Sequence, residues 1–302
     1  MNKLKKVKYL LPAVDVDMGG FPVKQPLPTH KVDQVDPFLL VHHARTKYYD
    51  DRPAKIQGIG PHPHRGFSPV TFVIEGEIHH RDSRENNKIA KEGEVQWMHA
   101  GAGIVHSERP SEALAARNGI QEVIQVWINS PADKKMQEPY YRHLSLDEIP
   151  VIISEDKKIK NKLIAGKFDG DSCGDAINRV STINRVSTEN ELLILWGTAE
   201  KDGEQTINIP NGFNAMLYLI KGAMKLNGYG IVDAENLVVF ENEGDAIGMT
   251  FSKDSQFLLL CGKPINESIS QYGPYVMNTQ TEILEAIRDY QMGKMGILIE
   301  HS

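Results

Sequence analysis

Short runs rich in β-branched and aromatic residues, each bounded by turn residues, recur along the whole chain. This spacing constrains the fold more than any other feature. The runs cover 70–74, 77–81, 94–98 and 123–128, then 192–196, 216–220, 237–240 and 257–260. Many short strands at such intervals imply sandwiches or barrels. Glycine and proline, 25 and 16 in number, suit a turn-rich all-β protein. Two stretches read otherwise. Residues 130–140 predict a short turn or helix after Pro131. A helix is predicted over 280–292: Thr279 and Glu282 form a capping box, Ile283, Ile287 and Tyr290 share one face, and Gly293 stops it.

At 302 residues the chain has room for two domains, each with its own core. The halves echo one another. VIEGEI at 73–78 resembles LIKGAM at 219–224, and EGEV at 92–95 resembles EGDA at 243–246. The glycine-to-glycine gaps are 17 and 22 residues, so the echo tolerates an insertion. The reading is two similar β-barrels in tandem, 1–148 and 149–302, joined near 145–152, with the helix closing the second. INRVST occurs at 177–182 and again at 183–188. An even repeat keeps the same residues on the same strand face, and a local duplication without function is the expectation.

Composition removes whole classes of function. Two cysteines, Cys173 and Cys261, are too few for a disulfide framework and suit a reducing cytoplasm. No run of about eighteen apolar residues spans a membrane. Residues 1–14 carry lysines, a short apolar patch and a proline before Asp15 and Asp17, which argues against a secretory signal. A cytoplasmic monomer is expected. Net charge is -6, against a binder that neutralises phosphates. The part up to Pro150 holds 20 basic and 19 acidic residues, whereas the rest holds 14 and 21. Ten of eleven histidines precede Pro150. Imidazole chemistry therefore belongs to the first half.

His62 and His64 stand at i and i+2 in GPHPHRGF, which points both rings to one face of a strand. His106 and Glu108 repeat the spacing in GAGIVHSE. Two such pairs facing each other across a barrel supply three imidazoles and one carboxylate, a set for a first-row transition metal. The neighbours His42-His43 and His79-His80 point to opposite faces and read as core or surface residues. Trp97 and Trp127 read as core. Gln125 stands evenly between a structural and a pocket role. The lysines at 157, 158, 160 and 162 form a solvated basic run without aromatic interleaving.

With these motifs in view, the chain resembles the pirin family, a branch of the cupin superfamily. The matching stretches are DPF at 36–38, GPHPHRGF at 60–67, VTFVIEGE at 70–77, VQWMHAGAGIVHSE at 95–108, QVWINSP at 125–131 and QYGPYVMNT at 271–279. The resemblance implies two tandem cupin barrels, a bicupin. It implies one metal in the N-terminal barrel, held by His62, His64, His106 and Glu108. Iron(II) is the expected ion, with nickel, manganese, copper or zinc as alternatives. The second barrel of the family is metal-free. Matching glycines agrees, because it sets Asn208, Pro210 and Phe257 where His62, His64 and His106 lie.

Some family members resemble quercetinases, which open flavonols with dioxygen; others are regulators of transcription or of metabolic enzymes. The first reading makes this chain a dioxygenase of a small flavonol-like aromatic, with Glu108 as proton acceptor. The second makes it a metal-dependent regulator with a protein partner; neither needs direct nucleic-acid binding. The sequence departs from the family at Ser68, where HRGFE is common, and at His99 and Ala102, where threonine and arginine are usual. Ser68, His99 and Gln125 are therefore candidate pocket residues. The stretch 44–58 is also longer than in many relatives.

Overall fold

The computed structural model describes residues 3–168, 182–183 and 190–300. Apart from Thr182–Ile183, which pairs with Lys167–Phe168, the INRVST repeat lies outside them, as do Cys173 and His301. Strands dominate, and the chain folds as two cupin barrels. Each combines a seven-stranded and a four-stranded antiparallel sheet. No helix among the described residues is long and apolar enough to cross a membrane.

The two compact units are not the contiguous parts 1–148 and 149–302. One comprises Asp15–Gln25, Phe38–Leu146 and Ile265–Ser302; the other comprises Met1–Val14, Pro26–Pro37 and Asp147–Pro264. The strand Val7–Pro12 pairs with Asn236–Phe240, Leu11 opposite Leu237. It thereby covers an edge that would otherwise expose unpaired backbone groups. The helix Gln280–Gln291 goes the other way and belongs to the unit that contains the histidines. Its capping box forms as the sequence predicts. Ile283 and Ala286 are its buried residues, packed with Val105, Tyr275, Met277 and Met295. Tyr290, predicted to share that face, is 39% exposed. Residues 132–136 form turns rather than a helix, while a short helix over Glu112–Ala116 starts at Ser111, whose hydroxyl accepts from the Leu114 N–H.

In the first unit the four-stranded sheet runs in the order Ile59–His64, Ile104–Arg109, Glu77–Asp82, Asn87–Lys91. The centre of its seven-stranded sheet is Phe67–Glu75 and Ile120–Asn129. Gly66 lets the chain turn between Ile59–His64 and Phe67–Glu75: its φ is +88°, and a Cβ there would overlap the Val276 carbonyl. Next to it, Arg65 donates to the Ala102 carbonyl at 2.6 Å and pairs with Asp289 of the helix at 3.1 Å. The helix thus anchors the end of the His62–His64 strand.

The second unit repeats the plan with Glu204–Asn208, Ala246–Phe251, Ala223–Leu226 and Gly230–Asp233. Pairing order makes Glu204–Asn208 the counterpart of Ile59–His64, and Ala246–Phe251 that of Ile104–Arg109. Asn208 faces Ala246 as His64 faces Ile104. The counterparts of His62, His64, His106 and Glu108 are therefore Thr206, Asn208, Gly248 and Thr250. This corrects the glycine-based match to Asn208, Pro210 and Phe257, because the turn lengths differ between the barrels. Phe257 lies instead in Ser255–Gly262 of the seven-stranded sheet, packed against Gly197 and stacked on Phe251 at 5.4 Å. No histidine stands at the four counterpart positions. Metal stoichiometry is accordingly expected to be one per chain by elemental analysis, and a reproducible value near two would contradict this.

Candidate metal centre

Ile59–His64 and Ile104–Arg109 are paired neighbours, and His106 sits directly opposite His62. His62 and His64 alternate to one face, so three rings meet. Ring centroids lie 4.3 Å (His62–His106), 4.8 Å (His62–His64) and 4.9 Å (His64–His106) apart. One nitrogen from each falls within 4.8 Å of the others.

Hydrogen bonding sets which nitrogen that is. His62 Nδ1 donates to the Gly60 carbonyl at 2.8 Å and His64 Nδ1 to the Pro274 carbonyl at 3.4 Å. A carbonyl only accepts, so both rings keep their lone pair on Nε2. His106 Nδ1 is 3.4 Å from His80 Nδ1, and His106 Nε2 is buried without a partner among the described residues. His64 and His106 are 3% and 2% exposed. Burial first, then the neighbouring imidazoles, hold both pKa values well below the ordinary histidine range. Three imidazoles whose lone pairs converge, one on a buried unpartnered nitrogen, fit a borderline divalent transition ion.

Glu108 is not one of the groups that converge within that distance. A bulge separates His106 from Glu108 in the ladder: His106 faces His62, but Glu108 faces Ile59. Its buried carboxylate is instead cradled by amides. Gln125 Nε2 donates to both oxygens at 3.0 Å, Gln96 Nε2 to Oε1 at 3.3 Å and Thr71 Oγ1 to Oε1 at 3.4 Å. Each glutamine is itself oriented by an aromatic donor. Trp127 Nε1 donates to Gln125 Oε1 at 3.0 Å, and the Tyr141 hydroxyl to Gln96 Oε1 at 3.2 Å. Both NH2 groups therefore face the carboxylate. Trp127 is core as expected, yet it also orients Gln125.

A cavity of about 340 Å³ reaches Glu108 and Gln125. Its walls are largely apolar, with Phe21, Val23, Ile59 and Val123 among them. Ala44, Tyr48 and Gly58 bring the long 44–58 stretch into the lining. His42, expected in the core or at the surface, also lines it; its Nε2 donates to Gln25 Oε1 at 2.8 Å.

Ser68 and His99 do not line this cavity. They pair with each other at 3.1 Å, both buried, and the His99 ring stacks on Tyr140 at 5.1 Å. The reason is strand parity. Ser68 and His99 each lie three residues from Thr71 and Gln96, an odd offset that turns them to the opposite face. Gln125 alone of the three candidates faces the cavity.

Burial lowers the pKa of His42 and of His99 from 6.5 to about 4. The fold therefore binds fewer protons than the unfolded chain between those values. Stability is full above pH 6.5 and falls as pH drops towards 4, by roughly 3 kcal/mol per histidine at most. Tm of the metal-free protein should thus fall steeply between pH 6.5 and 4.5; a flat profile would refute the neutral state of both rings.

Two cupin barrels, one of them with a buried histidine cluster, make this a bicupin with a single candidate metal centre among the described residues. The chain belongs to the pirin family. The Pirin family model matches residues 20–128, and the model of the Pirin C-terminal cupin domain matches 195–296. A pirin-like protein of Solanum lycopersicum is 34% identical over 296 residues, 96% of this chain and 92% of that protein. A Pseudomonas aeruginosa protein, provisionally named quercetin 2,3-dioxygenase, is 34% identical over 266 residues, 88% of each chain. The crystal structure of quercetin 2,3-dioxygenase from Acinetobacter baumannii is 32% identical, with a TM-score of 0.87 over 98% of this chain and 100% of that one.

Proposed function

We propose that this protein is a mononuclear metal-dependent dioxygenase acting on a flavonol-like substrate. The observation that carries the reading is the cavity that has Glu108 in its lining, two residues along the strand from His106. The likeness to quercetin 2,3-dioxygenases supports it. His62, His64 and His106 would hold the ion through Nε2, iron(II) first among candidates and nickel, manganese, copper or zinc after it. When bound, such an ion supplies Lewis acidity and a partner for dioxygen.

The chain's own residues do the rest. The apolar walls exclude water and take up the aromatic rings. At about 340 Å³ the cavity suits a compact bicyclic ligand, being at the small end of the roughly 300–1,000 Å³ typical of ligand pockets. Glu108, its oxygens fixed by Gln125 and Gln96, takes the proton of the substrate's 3-hydroxyl. The electron-rich ring so produced is the species that reacts with dioxygen and opens. The alternative reading, a metal-dependent regulator, needs no such cavity.

Anaerobic titration of the metal-loaded protein with a flavonol should shift the flavonol absorption band, and admission of air should consume it. Absence of any spectral change with iron, nickel, manganese and copper alike would overturn the proposal.

A further inference from the structure

Behind the histidine cluster, the strand Glu77–Asp82 carries a second buried pair, His80 and Asp82, 1% and 3% exposed. His80 Nε2 lies 2.8 Å from Asp82 Oδ2, and His80 Nδ1 lies 3.4 Å from His106 Nδ1. The ring is clamped by stacking on Tyr141, at 4.1 Å and 15°. Asp82 is fixed as firmly. Its Oδ1 accepts from the backbone N–H of Arg84 at 2.9 Å and of Asn86 at 3.1 Å, and the Asn86 amide reaches both oxygens.

Hydrogen accounting gives this chain of groups a direction. A carboxylate only accepts, so the hydrogen between His80 and Asp82 belongs to His80 Nε2. With one proton on the ring, His80 Nδ1 presents a lone pair. The hydrogen between the two rings then comes from His106 Nδ1. That leaves the His106 lone pair on Nε2, the buried nitrogen that has no partner among the described residues.

We propose that Asp82 and His80 are positioning residues that lock His106 in the tautomer whose Nε2 binds metal, a role that rests on the metal reading above. The other two cluster histidines obtain the same tautomer from backbone carbonyls, which no side-chain substitution can reverse. His106 alone depends on side chains. Partners of this kind set ligand orientation and basicity, and losing one typically weakens metal binding about 10–100-fold.

Asp82→Asn provides the sharpest test. The two backbone N–H groups at Oδ1 keep the amide oxygen there, so the NH2 group faces His80 Nε2. That nitrogen must now accept, the ring hydrogen moves to His80 Nδ1, and His106 Nδ1 must accept in turn. The hydrogen ends on His106 Nε2, the ligand nitrogen. His80→Phe keeps an aromatic ring on Tyr141 and removes both hydrogen bonds. His80→Gln offers an oxygen to His106 and an NH2 to Asp82, so it retains the original direction.

The experiment uses the full chain. Two-bond ¹H–¹⁵N correlation on metal-free protein reads the His106 tautomer, and absorption titration with Co²⁺ reads affinity. The wild type should show the Nδ1–H form. Asp82→Asn should show the Nε2–H form and bind Co²⁺ about 10–100-fold more weakly. His80→Phe should also bind more weakly, and His80→Gln should restore most of the loss. Wild-type tautomer and affinity in Asp82→Asn and His80→Phe would overturn the relay while leaving the metal site standing. A wild type that takes up no Co²⁺ would overturn the metal reading itself, and the positioning role with it.

Discussion

Replacing His106 by alanine should all but abolish bound metal in protein that remains folded. His106 supplies one of three ligand nitrogens, so the loss should exceed the about 10–100-fold typical of removing an outer partner. Its counterpart on the paired strand, His62, should behave the same way when replaced, since the two come from separate motifs and face each other across one ladder. The fold should survive. The helix-side cluster around Ile283 and Met295, and the independent core of the second unit around Leu195, Leu217 and Phe257, contain neither histidine. Metal content after dialysis, read beside circular dichroism and Tm, checks this. Full occupancy in both variants would remove the assigned site.

The histidine cluster was legible because its information is local. His62-x-His64 needs only a strand to bring two rings to one face, and the His106 strand then needs only to be its neighbour. Glu108 shows where that reasoning stops. Its i and i+2 spacing from His106 promises a shared face, and the unbroken pairing with Glu77–Asp82 keeps it, but a bulge in the His62 strand shifts what stands opposite and three donors hold the carboxylate in its own cradle. No pattern in the sequence announces a bulge.

Ser68 and His99 failed for a simpler reason. They depart from a familiar motif, which says that a position differs and not which face it occupies. Counting parity from Thr71 and Gln96 would have turned both away from the pocket, but only once those two were known to face it. His80 is the converse. Its parity opposite His79 was readable, while its closeness to His106 depends on the pairing of Glu77–Asp82 with Ile104–Arg109. The exchange of terminal segments between the units is least legible of all. Nothing in residues 7–12 names Asn236–Phe240 as a partner more than two hundred positions away.

Glu108→Gln should lower turnover per bound metal about 10²–10⁴-fold, the range expected when a general base is removed. The cradle makes the comparison demanding. Oε1 of Glu108 accepts from Gln96, Thr71 and Gln125, whereas Oε2 accepts from Gln125 alone. The amide oxygen of the variant should therefore take the Oε1 place, and its NH2 should face the Gln125 NH2. Two donors meeting in a buried site cost roughly 1–3 kcal/mol, so some stability and some metal affinity will go with the charge. Adding Gln125→Glu removes that conflict. The new carboxylate accepts from the amide at position 108 and still accepts from Trp127 Nε1. If Glu108 serves only to hold the local geometry, this exchange should restore turnover per metal. If Glu108 is the proton acceptor, the carboxylate now sits one side chain away from the substrate hydroxyl, and turnover should stay low although stability returns. The second outcome is expected, because three imidazoles suffice to hold an ion and Glu108 is the carboxylate that the cavity reaches. Metal-normalised rates decide it: a Glu108→Gln chain as active per bound metal as the wild type would take the general base out of this mechanism.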